Sequence, residues 1–115
     1  MLSLNSFCRY FLYDKPCDMR CGIYSLSGLV ENNLKQNPLS GDVFIFIGKA
    51  GNQIRLLQWD KDGYALYIKR LEKGTFERPA SGERIELSSR ELMLILGGIQ
   101  LKSVQLRKRY RHGSA

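Results

Sequence analysis

Residues 43–76 carry the feature that most limits the fold: three β-type runs parted by short turns. Val43-Phe44-Ile45-Phe46-Ile47 is wholly β-branched and aromatic, which favours a strand. A polar loop follows, Gly48-Lys49-Ala50-Gly51-Asn52, and then a second run, Ile54 to Trp59. Asp60-Lys61-Asp62-Gly63 reads as a tight turn in which Gly63 takes positive φ. Tyr64 to Leu71 sets Tyr64, Leu66 and Ile68 against Ala65, Tyr67 and Lys69, the period of two that a third strand requires. Such hairpin spacing predicts an antiparallel meander. One face of it is expected to be core: Leu57 and Trp59 share a face of their strand, and Tyr64, Leu66 and Ile68 share one of theirs.

The rest of the chain supplies flanking elements. Tyr10-Phe11-Leu12-Tyr13 is an early strand candidate, ended by Pro16. From Met19 to Gln36, Ile23, Leu26, Leu29 or Val30, and Leu34 recur at spacings of three and four, one face of an amphipathic helix. That helix should stop before Asn37-Pro38, because the residue before proline avoids the α region. Arg84 to Leu87 reads as a short strand. Ser88 and Glu91 have capping-box spacing for a helix from Ser89 to Leu96, closed by Gly97-Gly98 in a left-handed cap. Ile99 to Leu106 has the pattern of a last strand. The fold class is α+β: a small antiparallel sheet, a three-strand meander plus edge strands, with two packed helices. Residues 1–106 form one domain, and residues 107–115 a basic tail expected to be poorly ordered on its own.

Charge separates these two parts. The chain has 18 Lys and Arg against 11 Asp and Glu, a net charge of +7. Five of the basic residues are Lys102, Arg107, Lys108, Arg109 and Arg111, and no acid follows Glu91. Residues 92–115 thus carry +5, and the first 91 residues, thirteen basic against eleven acidic, only +2. A local basic cluster attracts polyanions. Arginines neutralise phosphates and release counterions, and the interleaved Tyr110 can stack on a base. Lys69, Arg70 and Lys73, beside Tyr67, form a second basic group at the end of the third strand.

Other chemistries are poorly supplied. Cys8, Cys17 and Cys21 lack the paired spacing of a zinc site, even with His112 as a fourth ligand. Asp60-x-Asp62-Gly63 begins like a calcium loop, but Tyr64 and Leu71 occupy the next ligand positions, so no metal is expected. Neither a nucleophile elbow nor a phosphate-binding glycine loop occurs, and the single histidine lies near the end. No catalytic residue and no cofactor is therefore expected. The longest apolar runs are five residues, far below the roughly 20 of a spanning helix. The first residues lack the basic and small-residue marks of a signal peptide, and three cysteines suit reduced thiols, so the expected location is cytoplasmic.

Several strings stand in a telling order. They are Asp18-Met19-Arg20-x-Gly22, then Asn37-Pro38-Leu39-Ser40-Gly41 before Val43-Phe44-Ile45-Phe46. Leu56-Leu57-x-Trp59-Asp60-x-Asp62-Gly63-Tyr64 follows, then Lys69-Arg70-Leu71-Glu72-x-Gly74-x-Phe76, closing at Pro79. Over about residues 9–110 this resembles TnpB, the small second-frame accessory protein of IS66-type insertion sequences, which is distinct from the RNA-guided nuclease of the same name. The resemblance implies a part in DNA transposition beside a separate large transposase and a second small protein. The family tends to carry consecutive arginines between its first two core strands, where this chain has Gly48 to Asn52 with one charge. That departure moves the expected DNA contact to Lys69, Arg70, Lys73, Lys102, Arg107, Lys108, Arg109 and Arg111. Trp59, Tyr64 and Tyr67 are the candidate protein-interface residues, since aromatics anchor interfaces. Two readings follow: a non-catalytic DNA-binding accessory factor, or an adaptor contacting the transposase or another element-encoded protein.

Overall fold

The apolar run that opens the meander is buried along its whole length. In the computed structural model, which describes residue 4, residues 7–77 and residues 86–97, all five residues of Val43–Ile47 are 0% exposed. The elements are β1 (Tyr10–Leu12), α1 (Ile23–Asn32), β2 (Val43–Ile47), β3 (Gln53–Asp60), β4 (Gly63–Arg70), β5 (Glu86–Leu87) and α2 (Ser89–Leu96). They form a five-stranded sheet in the order β4-β3-β2-β1-β5. β2, β3 and β4 are the antiparallel meander, paired without a break from Gln53 opposite Arg70 to Asp60 opposite Gly63. β5 pairs antiparallel to β1. β1 lies parallel to β2, and the chain between them carries α1, because parallel neighbours need a long crossover.

The helices lie on opposite faces, so the expectation of a single core face is corrected. On one face Tyr10, Leu12, Val43, Ile45, Ile47, Ile54 and Leu56 pack with Leu92 and Ile95 of α2. On the other, Phe11, Tyr13, Phe44, Phe46 and Leu57 pack with Leu26, Val30 and Leu34 around α1. A strand covered on both faces has no use for alternation, which is why β2 is apolar throughout.

The element ends have local causes. α1 starts later than its periodicity suggests, because Asp18 holds residues 18–21 in a turn: its main-chain oxygen accepts from Cys21 N and its carboxylate from Arg20 N. It ends early because Lys35 is left-handed (φ 57°) and Leu34 and Gln36 donate back to Leu29 O and Val30 O. At α2 the capping box is present: Ser88 N donates to Glu91 Oε1 (2.9 Å) and Glu91 N to Ser88 Oγ (3.1 Å). Gly97 is right-handed (φ −79°), not the left-handed cap expected, and Gly98 lies outside the described residues. In the β3–β4 turn the left-handed residue is Lys61 (φ 60°) rather than Gly63. The strand expected over Ile99 to Leu106 and the tail 107–115 also lie outside the described residues.

Candidate functional site

The register brings three chain segments to one end of the sheet. Cys17 bridges to Gly48 just past β1 and β2, and Cys17 N donates to Ile47 O. Leu71 N donates to Asn52 O and Phe76 N to Gly51 O, which folds the chain after β4 over the β2–β3 loop. Gly48 is required by this crowding: a Cβ there would lie 2.7 Å from Met19 Cγ. Gly51 takes φ 82°, a value side-chain-bearing residues avoid. Pro16, Cys17, Asp18, Arg20, Lys49 and Ala50 line a cleft of about 570 Å³ at this end.

The charged groups there are only partly paired. Asp18 accepts two bonds from the Arg20 guanidinium (3.0 and 3.1 Å), and these hold its carboxyl down to about 2. Arg20 remains largely in solvent. Lys15, Lys49 and Lys73 are exposed at the same end, with Asp14 and Glu72 among them. Arg55 is different. Its guanidinium donates to Cys21 O (2.7 Å) and Met19 O, pinning the loop before α1 to the middle of β3. Burial, with Cys21 nearby, raises the Cys17 thiol to about 11, so it is protonated and unreactive at neutral pH. None of the three cysteines is in a disulfide.

The opposite end is tied down by Asp42, which is 8% exposed. It accepts from Arg9 N (2.9 Å), Arg9 Nη2 (3.1 Å) and Ser40 Oγ (3.2 Å). Beside it, Gln58 Nε2 donates to Gly41 O. The Asn37-to-Gly41 string thus serves as an anchor for β1 and β2.

The expected site residues fall into separate places. Lys69 and Arg70 are neighbours in β4 and so point to opposite faces. Lys69 Nζ donates to Leu96 O (2.7 Å), a cation on the last carbonyls of α2, where the helix dipole favours it. Arg70 and Lys73 are exposed. Trp59 and Tyr64 stand opposite each other on the α1 face and meet edge to face, their centroids 5.1 Å apart. Both are half-buried, and Tyr64 packs against the α1-side core. Tyr67 lies on the other face and is exposed, so the three aromatics do not form one patch. Lys102, Arg107, Lys108, Arg109 and Arg111 lie outside the described residues. Arg55 was not singled out by sequence reasoning. Its signal was an arginine between apolar residues of a strand, which a buried partner must explain.

Among the described residues eleven are Lys or Arg and ten are Asp or Glu, a difference of +1. Among them, too, no three His, Cys, Asp or Glu residues gather as a metal site, and no helix is long and apolar enough to cross a membrane. Residues 8–106 match the family described as "IS66 Orf2 like protein". Among curated proteins, "Uncharacterized protein y4hO" of Sinorhizobium fredii (strain NBRC 101917 / NGR234) is 37% identical over 106 residues, 91% of this chain and 92% of that protein. "Uncharacterized protein y4jC" of the same strain is 32% identical over 98 residues, 84% of each chain. No solved structure matches. The family points to an accessory role in transposition, as the order of strings along the chain implied. With both match and motifs spanning nearly its whole length, the chain belongs to the IS66 Orf2-like family.

Proposed function

We propose that the protein is a non-catalytic accessory factor of transposition that holds DNA by its backbone through the basic C-terminal segment. The observation that carries this reading is the charge split. The described body is almost neutral, while residues 98–115 hold Lys102, Arg107, Lys108, Arg109 and Arg111 and no acid. Interspersed acids make the body a poor polyanion surface, and the segment a good one. Phosphate contacts of this kind position a protein without reading sequence.

Titration of the full chain with duplex DNA across salt concentrations tests the proposal. Four to five phosphate contacts give a slope of log affinity against log salt near −4, at about −0.9 per contact. A flat response would refute it. Metal-dependent cleavage of the DNA by purified protein would refute its non-catalytic half. A second reading, an adaptor for the transposase or another element-encoded protein, is favoured by the edge-to-face pair of Trp59 and Tyr64 beside the β3–β4 turn. Binding of such a partner that is lost in Trp59→Ala and indifferent to salt supports it.

A further inference from the structure

Among the described residues, β4 is the long open edge of the sheet. All eight of its residues pair with β3, which among the described residues is its only strand neighbour. The other edge, β5, is two residues long. Leu71 N donates inward to Asn52 O (2.7 Å), which fixes the alternation of the ladder. Ala65, Tyr67 and Lys69 therefore bond to β3. The main-chain groups of Tyr64, Leu66, Ile68 and Arg70 face outward, with no described partner. Eight residues make an edge about 27 Å long. Natural sheets blunt such edges with proline, bulges, inward charges or a covering element. This one has no proline and no break in its pairing, its inward charge is Lys69, held on Leu96 O, and it leaves Ile68 49% and Tyr67 39% exposed, one on each face.

We infer that this edge pairs with the β4 edge of a second copy of the chain, antiparallel and about a two-fold axis. Charge selects the occupant. The hairpin carries Asp60 and Asp62 at its turn, and Arg70 at its far end. Antiparallel pairing sets the acidic turn of one copy beside the basic end of the other, whereas a polyanion laid along the edge would meet the two aspartates. Hydrogen-bond parity and charge together select the register. Residues facing across the new ladder must both point outward, so an even residue faces an even residue. Centring the axis on Leu66 places Leu66 on its counterpart, Ile68 opposite Tyr64 and Arg70 opposite Asp62. Of the two neighbouring allowed registers, the one centred on Tyr67 sets Arg70 against Tyr64 and leaves Asp62 without a cation, and the one centred on Ala65 carries Arg70 past the start of β4 to Asp60 of β3 and sets Asp62 against Ile68. In the register centred on Leu66, Lys69 faces Gly63 of the other copy, so the two Lys69 ammonium groups stand well apart. The two sheets become one of ten strands, and the two basic C-terminal segments serve one particle.

Sedimentation of the full chain from about 1 to 100 µM, without DNA, tests this inference. The expected result is a monomer–dimer equilibrium in that range. Ile68→Lys puts a charge on each copy's edge at a half-exposed position and should give monomer with an unchanged unfolding midpoint. Arg70→Glu should weaken the dimer by about tenfold or more, since each glutamate then faces an aspartate. Adding Asp62→Arg to it should restore dimerisation. A chain that stays monomeric throughout the range overturns the inference. So does a dimer indifferent to Ile68→Lys, which would place the contact elsewhere. Failure of Asp62→Arg to rescue Arg70→Glu overturns the register.

Discussion

The described body and the C-terminal segment divide the chemistry of this chain between them. In the body, eleven basic residues are answered by ten acidic ones, and several cations are already committed: Arg55 to the loop before α1, Lys69 to the end of α2, Arg9 to Asp42. Residues 98–115 hold five basic residues and no acidic one. The lesson is that position in a basic-looking string says little about availability. Lys69-Arg70 reads in sequence like a phosphate clamp, yet one of the two charges is part of the fold.

The largest expected effect would break the body and spare the segment. Phe44 is 0% exposed and stacks on Phe11 at 5.7 Å, so Phe44→Ala should cost about 3–5 kcal/mol in chemical denaturation. DNA affinity of the molecules still folded should be unchanged. A cost below about 1 kcal/mol would mean that the α1 face is not core. Next comes Gly48→Ala, which forces a Cβ into Met19 and should cost about 1–3 kcal/mol, read as a shift of the denaturation midpoint.

A pH titration sharpens the same side of the comparison. The Cys17 thiol is raised from 9.0 to about 11 by burial, so folding favours its protonated form. The stability tied to that preference is complete below pH 9 and is lost as pH climbs from 9 to 11. Cys17→Ala should flatten the decline in that window, as followed by thermal unfolding at each pH. The smallest effect is that of Lys69→Met. It removes one charge-assisted bond at the α2 C-terminus, about 0.5–1 kcal/mol by denaturation, and should leave the salt slope of DNA binding unchanged. A lowered slope would return Lys69 to the DNA-contacting set.

Much of the body was legible in the sequence because its local signals agree. The meander was readable from period-two runs and turn residues, and the start of α2 from the Ser88–Glu91 spacing. What escaped was long-range. The parallel place of β1 depends on where α1 returns the chain. That both sheet faces are covered depends on two helices, whose sides no local pattern assigns. Helix α1 was overextended because Met19 and Leu34 keep its apolar period, while the Asp18 turn and the left-handed Lys35 end the helix inside it. At the candidate site, charge was legible and pairing was not. Nothing near Lys69 in sequence announces Leu96, and nothing near Arg55 announces Met19 and Cys21. The separation of Tyr67 from Trp59 and Tyr64 follows from strand parity, although sequence reading grouped the three by type.

The central claim is that the segment, and not the body, supplies the polyanion contact. Two variants with the same number of neutralised charges test it in one band-shift series at two salt concentrations. One carries Arg107, Lys108, Arg109 and Arg111→Gln; the other carries Lys15, Arg20, Lys49 and Lys73→Gln, exposed cations at the cleft end of the sheet. The account predicts that the first loses most of its duplex affinity at low salt, its slope falling from near −4 to near −1, while the second stays close to the unaltered chain. Equal losses in the two, or a larger loss in the second, would contradict it.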